Sequence, residues 1–364
     1  MMARKYNQGS VCYEADRDKY RAYIMVNGKK YTKRFDHKPD AVAWTQKMLL
    51  SVHEGDFIAP SSMCTGEWLL HYLKTYKRPT LKPTTYQRYV FTAMRATPIS
   101  SIPIQKLSPD AVQAFYNELG ANAAKKMHVL LHSAFQKAKD LEMIRKNPID
   151  LVQPPKAKRK EIEIFTTDEL HRILDTMQKD KHFIRFYPIV LVAMNTGMRK
   201  GEVLGLRWCD VDLEHRTLFI RQQVQSLSRG EILIDTPKTR AGKRKISIPA
   251  SVNAYLKGMY SALSEEDVPP EQLVFRSQAL TPIRPEAISH MWKRVQQLAG
   301  VPYRSFHCLR HTHATLLLAN GIPIIEVSRR LGHANVTQTL DTYGHAMPNY
   351  DQGIADEIEK IYQA

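Results

Sequence analysis

Two interruptions rich in proline and charge constrain this chain more than any other feature of its sequence. GDFIAPSSMCTG (55–66) and QPPKAKRKEIEIF (153–165) carry turn formers and charges, whereas the segments around them carry regular apolar spacing. They cut 364 residues into three parts of different periodicity, so one sheet or one bundle cannot accommodate the whole. The expectation is a multidomain α+β protein with parts at 1–57, 62–155 and 162–364.

The first part reads as a three-stranded sheet and a helix. SVCYEA, KYRAYIMV and KKYTKRF are strand-like, and Asn27-Gly28 marks a hairpin between the last two. KPDAVAWTQKMLLSVHE predicts a helix burying Ala41, Trp44, Met48 and Leu49. Alternation puts Lys29, Tyr31 and Lys33 on one face. That face fits a surface that enters a major groove, and equally fits an ordinary solvated face; Arg21 is a further candidate DNA contact.

The second part reads as an all-helical bundle. Its helices are EWLLHYLKTYK, KPTTYQRYVFTAMRATP, SPDAVQAFYNELG and NAAKKMHVLLHSAFQKAKDLEMI, with Ser108 as a cap and Gly120 as a stop. The net charge of +17 concentrates here: residues 61–160 hold 17 Lys and Arg against 6 Asp and Glu. A field so localised favours a nucleic-acid clamp over general solubility. Lys77, Lys82, Arg88, Lys125 and Lys126 of the bundle, with Lys158 and Arg159 of the second tether, are the candidate backbone contacts.

Several classes are set aside. Cys12, Cys64, Cys209 and Cys308 are scattered without a C-x-x-C pair, against a disulfide framework or zinc ribbon. No stretch reaches the length of a membrane span, and MMARKYNQGS leads into no apolar signal core, so a cytoplasmic protein is expected. No G-x-x-x-x-G-K-[ST] loop supports nucleotide hydrolysis.

The third part is mixed: helices TTDELHRILDTM and FIRFYPIVLVAMNTG, strands TLFIRQQV, EILIDT and RKISIP, then helices again. Here the residues with chemical potential gather. Arg199 falls in the first turn of a helix, where free N–H groups favour an anion, with Glu202 on the same face. Lys238 lies in a turn between two strands, as a solubilising charge, a proton donor or a phosphate contact. His307 and Arg310 share a helical face. His311, four residues from His307, makes a zinc pair geometrically possible, but it lacks the Glu of H-E-x-x-H and a well-spaced third ligand, so no metal is expected. Gly321 gives the segment the look of a helix–turn–helix, a pattern also common in plain helical packing. In LGHANVTQTLDTYGHAMPNY, Asn335 and Gln338 form a capping pair for a helix running to Tyr343 and stopping at Gly344.

Taken together, these residues resemble the tyrosine recombinase family, the integrases of phages and conjugative transposons. That family's pattern is an Arg in T-G-x-R-x-x-E, a hairpin Lys, H-x-x-R, a later L-G-H and a nucleophilic Tyr. The chain matches with Arg199, Glu202, Lys238, His307, Arg310, His333 and Tyr343, in the same order and spacing. The resemblance implies a SAM-like core-binding bundle, a mainly helical catalytic domain with a small antiparallel sheet, and an N-terminal arm-binding unit. It also implies DNA cleavage through a 3′-phosphotyrosine, with no cofactor and with Lys238 as general acid. The partners implied are core and arm attachment sites and a homotetramer, with an excisionase and a host DNA-bending protein as further candidates. A DNA-binding regulator on the same scaffold and a type IB topoisomerase are the competing expectations. In the tail, Ile354, Ile358 and Ile361 form one apolar stripe on a short helix, expected to dock on a neighbouring protomer.

Overall fold

The computed structural model describes residues 9–156, 162–227, 230–236, 240–263 and 269–344. The chain divides into two compact units, Met1–Arg159 and Lys160–Ala364, each with a hydrophobic core of its own.

The first unit opens with β1 (Gly9–Glu14), β2 (Lys19–Val26) and β3 (Lys29–Phe35), an antiparallel sheet in that order. Asn27 and Gly28 both take positive φ in the β2–β3 turn, as a tight hairpin requires. Helix α1 (Lys38–His53) covers one face, with Ala22, Ile24 and Ala41 fully buried between them. Thr45 joins that face unexpectedly. Its hydroxyl is satisfied by donating to Ala41 O at 2.9 Å, while Trp44, Met48 and Leu49 are only half-buried.

Register sorts the candidate DNA contacts between two faces of the sheet. Lys33 pairs with Ala22, Tyr31 with Ile24 and Lys29 with Val26. Partners in an antiparallel ladder project to the same side, so Lys29 and Lys33 belong to the face that α1 covers. The open face carries Arg21, Tyr23, Lys30 and Arg34 instead. There the Lys30 ammonium lies 4.1 Å from the centre of the Tyr23 ring, and Arg21 and Arg34 both grip Glu14. Period-two alternation names the two faces but not which one meets the helix.

The rest of this unit is helical: α2 (Thr65–Tyr72), extended by a π-helical turn (Leu73–Lys77), α3 (Pro83–Met94), α4 (Thr97–Ser100), α5 (Pro109–Glu118) and α6 (Ala121–Asp140). Trp68 anchors the core, its indole donating to Ala134 O at 2.9 Å. Ser108 caps α5 as expected, accepting from Ala111 N. Gly120 differs from expectation: with φ −61° it is the N-cap of α6, not a stop for α5. Arg88, Lys125 and Lys126 are exposed, and Lys77 and Lys82 are half-buried. Lys158 and Arg159 lie outside the described residues.

The second unit packs α7 (Thr167–Lys179), α8 (Tyr187–Thr196), α9 (Lys200–Leu204), β4 (Val211–Asp212), β5 (Thr217–Ile220), β6 (Gln223–Ser226), β7 (Ile232–Asp235), β8 (Arg244–Ser247), α10 (Ala250–Ser261), α11 (Pro285–Leu298), α12 (Cys308–Ala319), α13 (Ile324–Leu331) and α14 (Val336–Tyr343). Its apolar core runs from Phe165 through α8 to Trp292, whose ring meets Phe165 and Phe306 edge-on. The single strand expected over 217–224 is two strands in different sheets. β5 pairs with β4 and β8, whereas β6 pairs with β7. The break falls at Arg221-Gln222, where the Gln222 amide donates to Gly205 O and draws the chain across the end of α9.

Candidate active site

The site is built on the C-terminal end of α8. A helix end leaves carbonyls unpaired and carries partial negative charge. Three side chains from α12 and α13 take them up: His313 Nδ1 bonds Met194 O at 3.0 Å, Arg330 Nη2 bonds Asn195 O at 2.9 Å, and Arg310 Nη1 bonds Gly197 O at 2.9 Å. Gly197 closes the helix at φ +66°, where a Cβ would sit 2.7 Å from His313. A left-handed turn that tight suits glycine alone. It delivers Arg199 to the start of α9, as its N-cap and not in its first turn.

Arg199 is oriented by Glu202, which accepts from its backbone N–H at 2.9 Å and from Nη1 at 2.8 Å. Glu202 is fully buried, and a second arginine, Arg244 of β8, grips both of its oxygens at 2.9 and 3.2 Å. Burial alone would raise this carboxyl, but Arg244 and Arg199 outweigh it and hold it at about 2. One carboxylate thus fixes two guanidiniums. Arg244 Nε also bonds Arg330 O at 2.7 Å, tying β8 to the end of α13. There Gly332 turns at φ +70° and His333 follows, its Nδ1 2.7 Å from the Thr339 hydroxyl.

Arg310 is the centre of the site. It is 2% exposed, and its Nη2 has no hydrogen-bond partner among the described residues. Burial first, then the charge of Arg199, pulls it down to about 9. A buried cation beside other cations, with an unused donor, is arranged for an anion. His307 stands at the solvent edge. The protein packed around it, with His311 and the arginines, lowers its pKa and keeps it neutral.

Tyr343 ends α14, packed among Ala314, Leu318, Val327 and Leu331, and is 1% exposed. Its hydroxyl lies 2.7 Å from His311 Nδ1. Burial raises its pKa, Arg310 and Arg199 opposing. His307 and His311 are ring neighbours, their centroids 4.7 Å apart.

Arg199 is bonded to Glu202, and its charge reaches His307, Arg310, His333 and Tyr343, which places all six about one centre. Lys238 lies outside the described residues, in the segment joining β7 to β8. Among the described residues β7 pairs with β6, and β8 with β5. Sequence reasoning missed Arg244, Arg330 and His313, whose roles are to hold other residues. Their only signal was placement: Arg244 at the first position of a strand, His313 three residues after Arg310, and Arg330 three residues before His333.

Acid should unpick this network. Burial, and Arg330 facing its Nε2 at 3.0 Å, hold His313 at about 4, and burial with the arginines does the same for His333, against 6.5 ordinarily. The unfolded chain takes up these protons below about 6.5 while the native fold resists, so their contribution is present above that pH and is lost as pH falls towards 4. Glu202, held at about 2 against 4.5, adds a second loss between those values. We expect the melting temperature to fall by several degrees from pH 7 to pH 4.5, a drop that scanning calorimetry resolves. A flat profile would contradict this electrostatic account.

The domain thus gathers two arginines, two histidines and a tyrosine, and one of those arginines, Arg310, keeps a buried donor without a partner among the described residues, which suits the group to an anion. The Phage integrase family matches residues 163–349, and the N-terminal SAM-like domain of phage integrases matches 66–120. The chain belongs to the phage integrase family. It is similar to a XerC-like tyrosine recombinase of Caldanaerobacter subterraneus, 26% identical over 99% of this chain and all of that protein. It is also similar to the ICEBs1 integrase of Bacillus subtilis, 26% identical over 77% of this chain and 78% of that protein. Among solved structures it shares the fold of the Tn1549 transposon integrase in complex with a circular intermediate DNA (TM-score 0.69, 21% identity, 82% of this chain and 100% of that one). It shares as well the fold of a lambda integrase tetramer bound to a Holliday junction (TM-score 0.61, 18% identity, 96% and 99%). The activity that follows is site-specific recombination, the cleavage and rejoining of DNA, and not that of a silent regulator or a topoisomerase.

Proposed function

We propose that Arg199 and Arg310 clamp the scissile phosphate with His307 and His333, that Tyr343 attacks it, and that Lys238 protonates the leaving oxygen. The Tyr343 Oη–P bond forms as the P–O5′ bond breaks, leaving the 3′ phosphate on tyrosine and a proton on the 5′ oxygen. A 5′ hydroxyl of a second duplex then attacks phosphorus, expels the tyrosine and reseals the strand, so the bond energy is conserved. The buried Nη2 of Arg310, without a partner among the described residues, carries this reading. Leaving a charged donor unsatisfied costs more than the roughly 1–3 kcal/mol of a neutral one, and a phosphate oxygen relieves it where charge develops.

Around this chemistry, residues 1–57 serve as an arm-binding unit, 62–155 as the core-binding domain and 162–364 as the catalytic domain. Arg21, Tyr23, Lys30 and Arg34 on the open sheet face are the arm-site contacts this reading favours; Arg88, Lys125 and Lys126 serve the core site. The protein works in the bacterial cytoplasm as a tetramer on DNA, integrating and excising a mobile element with the tail exchanged between protomers. An excisionase and a host DNA-bending protein direct the outcome. Among the described residues no helix is long and apolar enough to cross a membrane.

Lys238→Ala tests the acid. On ordinary DNA, cleavage should fall by roughly 10²-fold or more, the scale of general acid catalysis. A 5′-bridging sulfur substrate should restore most of that loss, because a thiolate leaves without a proton. Equal defects on both substrates would make Lys238 a phosphate contact.

A further inference from the structure

We propose that His311, which lies outside the family pattern, receives the Tyr343 proton during strand cleavage. The assignment rests on reading Tyr343 as the nucleophile. Its geometric basis is the 2.7 Å contact between Tyr343 Oη and His311 Nδ1, a hydrogen-bond distance that brings a basic nitrogen onto the reacting atom. Both partners are held firmly. The Tyr343 ring is locked among Ala314, Leu318, Val327 and Leu331. His311 rides on α12, whose next residue, Thr312, accepts from Phe165 N at 2.9 Å. His307, one helical turn earlier, touches the edge of the His311 ring and stands open to solvent, but the tyrosine hydroxyl bonds to His311.

The chemistry needs such a group. A buried phenol with a raised pKa is neutral near pH 7 and a weak nucleophile. Burial, and then Arg310, lower the pKa of His311 and leave it neutral. With its own proton on Nε2, it offers a lone pair at Nδ1. The titratable and charged groups facing it among the described residues are His307 and Arg310 on α12 and Tyr343 on α14. In cleavage, the O–H bond of Tyr343 breaks, its proton passes to Nδ1, and the electron pair left on Oη forms the bond to phosphorus. The P–O5′ bond breaks and the 5′ oxygen takes its proton from Lys238. On resealing, the imidazolium returns its proton to the departing tyrosine oxygen.

The test is single-turnover cleavage of a nicked trapping duplex by full-length His311→Asn, measured against pH. Asparagine keeps an acceptor near the Nδ1 position without a basic nitrogen; His311→Gln serves if the first variant fails to fold. We expect cleavage at least ~10²-fold slower at pH 7 with DNA affinity retained. The variant's rate should climb about tenfold per pH unit, where the wild type levels off. Replacing Tyr343 with a more acidic fluorotyrosine should recover part of the loss in the variant. A wild-type rate overturns the proposal, as does a slow variant that keeps the wild-type pH profile and gains nothing from fluorotyrosine. Tyr343→Phe, run alongside, separates the two readings. An adduct persisting there removes the nucleophile assignment itself, whereas an inert Tyr343→Phe beside a normal His311→Asn removes only the base.

Discussion

Tyr343→Phe is expected to bind its DNA sites with unchanged affinity and to form no covalent adduct at all. The substitution deletes one oxygen and keeps the ring, which fills a closed space among Ala314, Leu318, Val327 and Leu331. What is lost structurally, among the described residues, is the hydrogen bond to His311, worth about 1 kcal/mol net. The fold therefore persists while the oxygen proposed to bond phosphorus disappears. Gel-shift affinity and denaturing-gel adduct formation, measured on the same preparation, separate these effects. A phosphotyrosine adduct in the variant would move the nucleophile elsewhere, with Tyr350 the nearest downstream tyrosine.

Arg310→Ala is expected to lower single-turnover cleavage by at least ~10²-fold, the scale on which one preorganised transition-state donor is lost. Its guanidinium does two jobs that one residue type can combine. Nη1 fastens α12 to the Gly197 carbonyl, and Nη2 is left free among the described residues. Arg310→Lys should remain badly impaired although the charge survives, because an ammonium cannot reach both points in one plane. The alanine variant also leaves a void and an unpaired carbonyl, so its unfolding midpoint has to be read beside its rate. Cleavage close to normal, in a variant that is merely less stable, would mean that the phosphate sits elsewhere.

How much of this was legible depended on whether a residue's role was local. Strand alternation and Asn27-Gly28 located the N-terminal sheet almost to the residue, since both signals lie within a few positions of what they determine. The capped helix ending at Tyr343 was equally local. Tertiary choices were not. Lys29 and Lys33 fall on the side facing α1 because register with β2 decides parity, and nothing inside β3 encodes it. The run 217–224 reads as one strand, yet a hydrogen bond from Gln222 to Gly205, seventeen residues away, splits it between sheets. Within the site, Arg199, His307, Arg310, His333 and Tyr343 were recognisable because their spacing forms a known pattern. Arg244 and His311 were not, because each acts through a residue far away in sequence: Glu202 in one case, Tyr343 in the other.

Whether Tyr343 carries the DNA strand through its 3′ phosphate is tested most directly by mass spectrometry of the trapped cleavage product, digested with protease and nuclease so that the nucleotide-bearing peptide is sequenced. The account predicts a single modified peptide containing Tyr343, with a nucleotide joined through its 3′ phosphate to the phenolic oxygen. A nucleotide on any other tyrosine, or one joined through a 5′ phosphate, would contradict it.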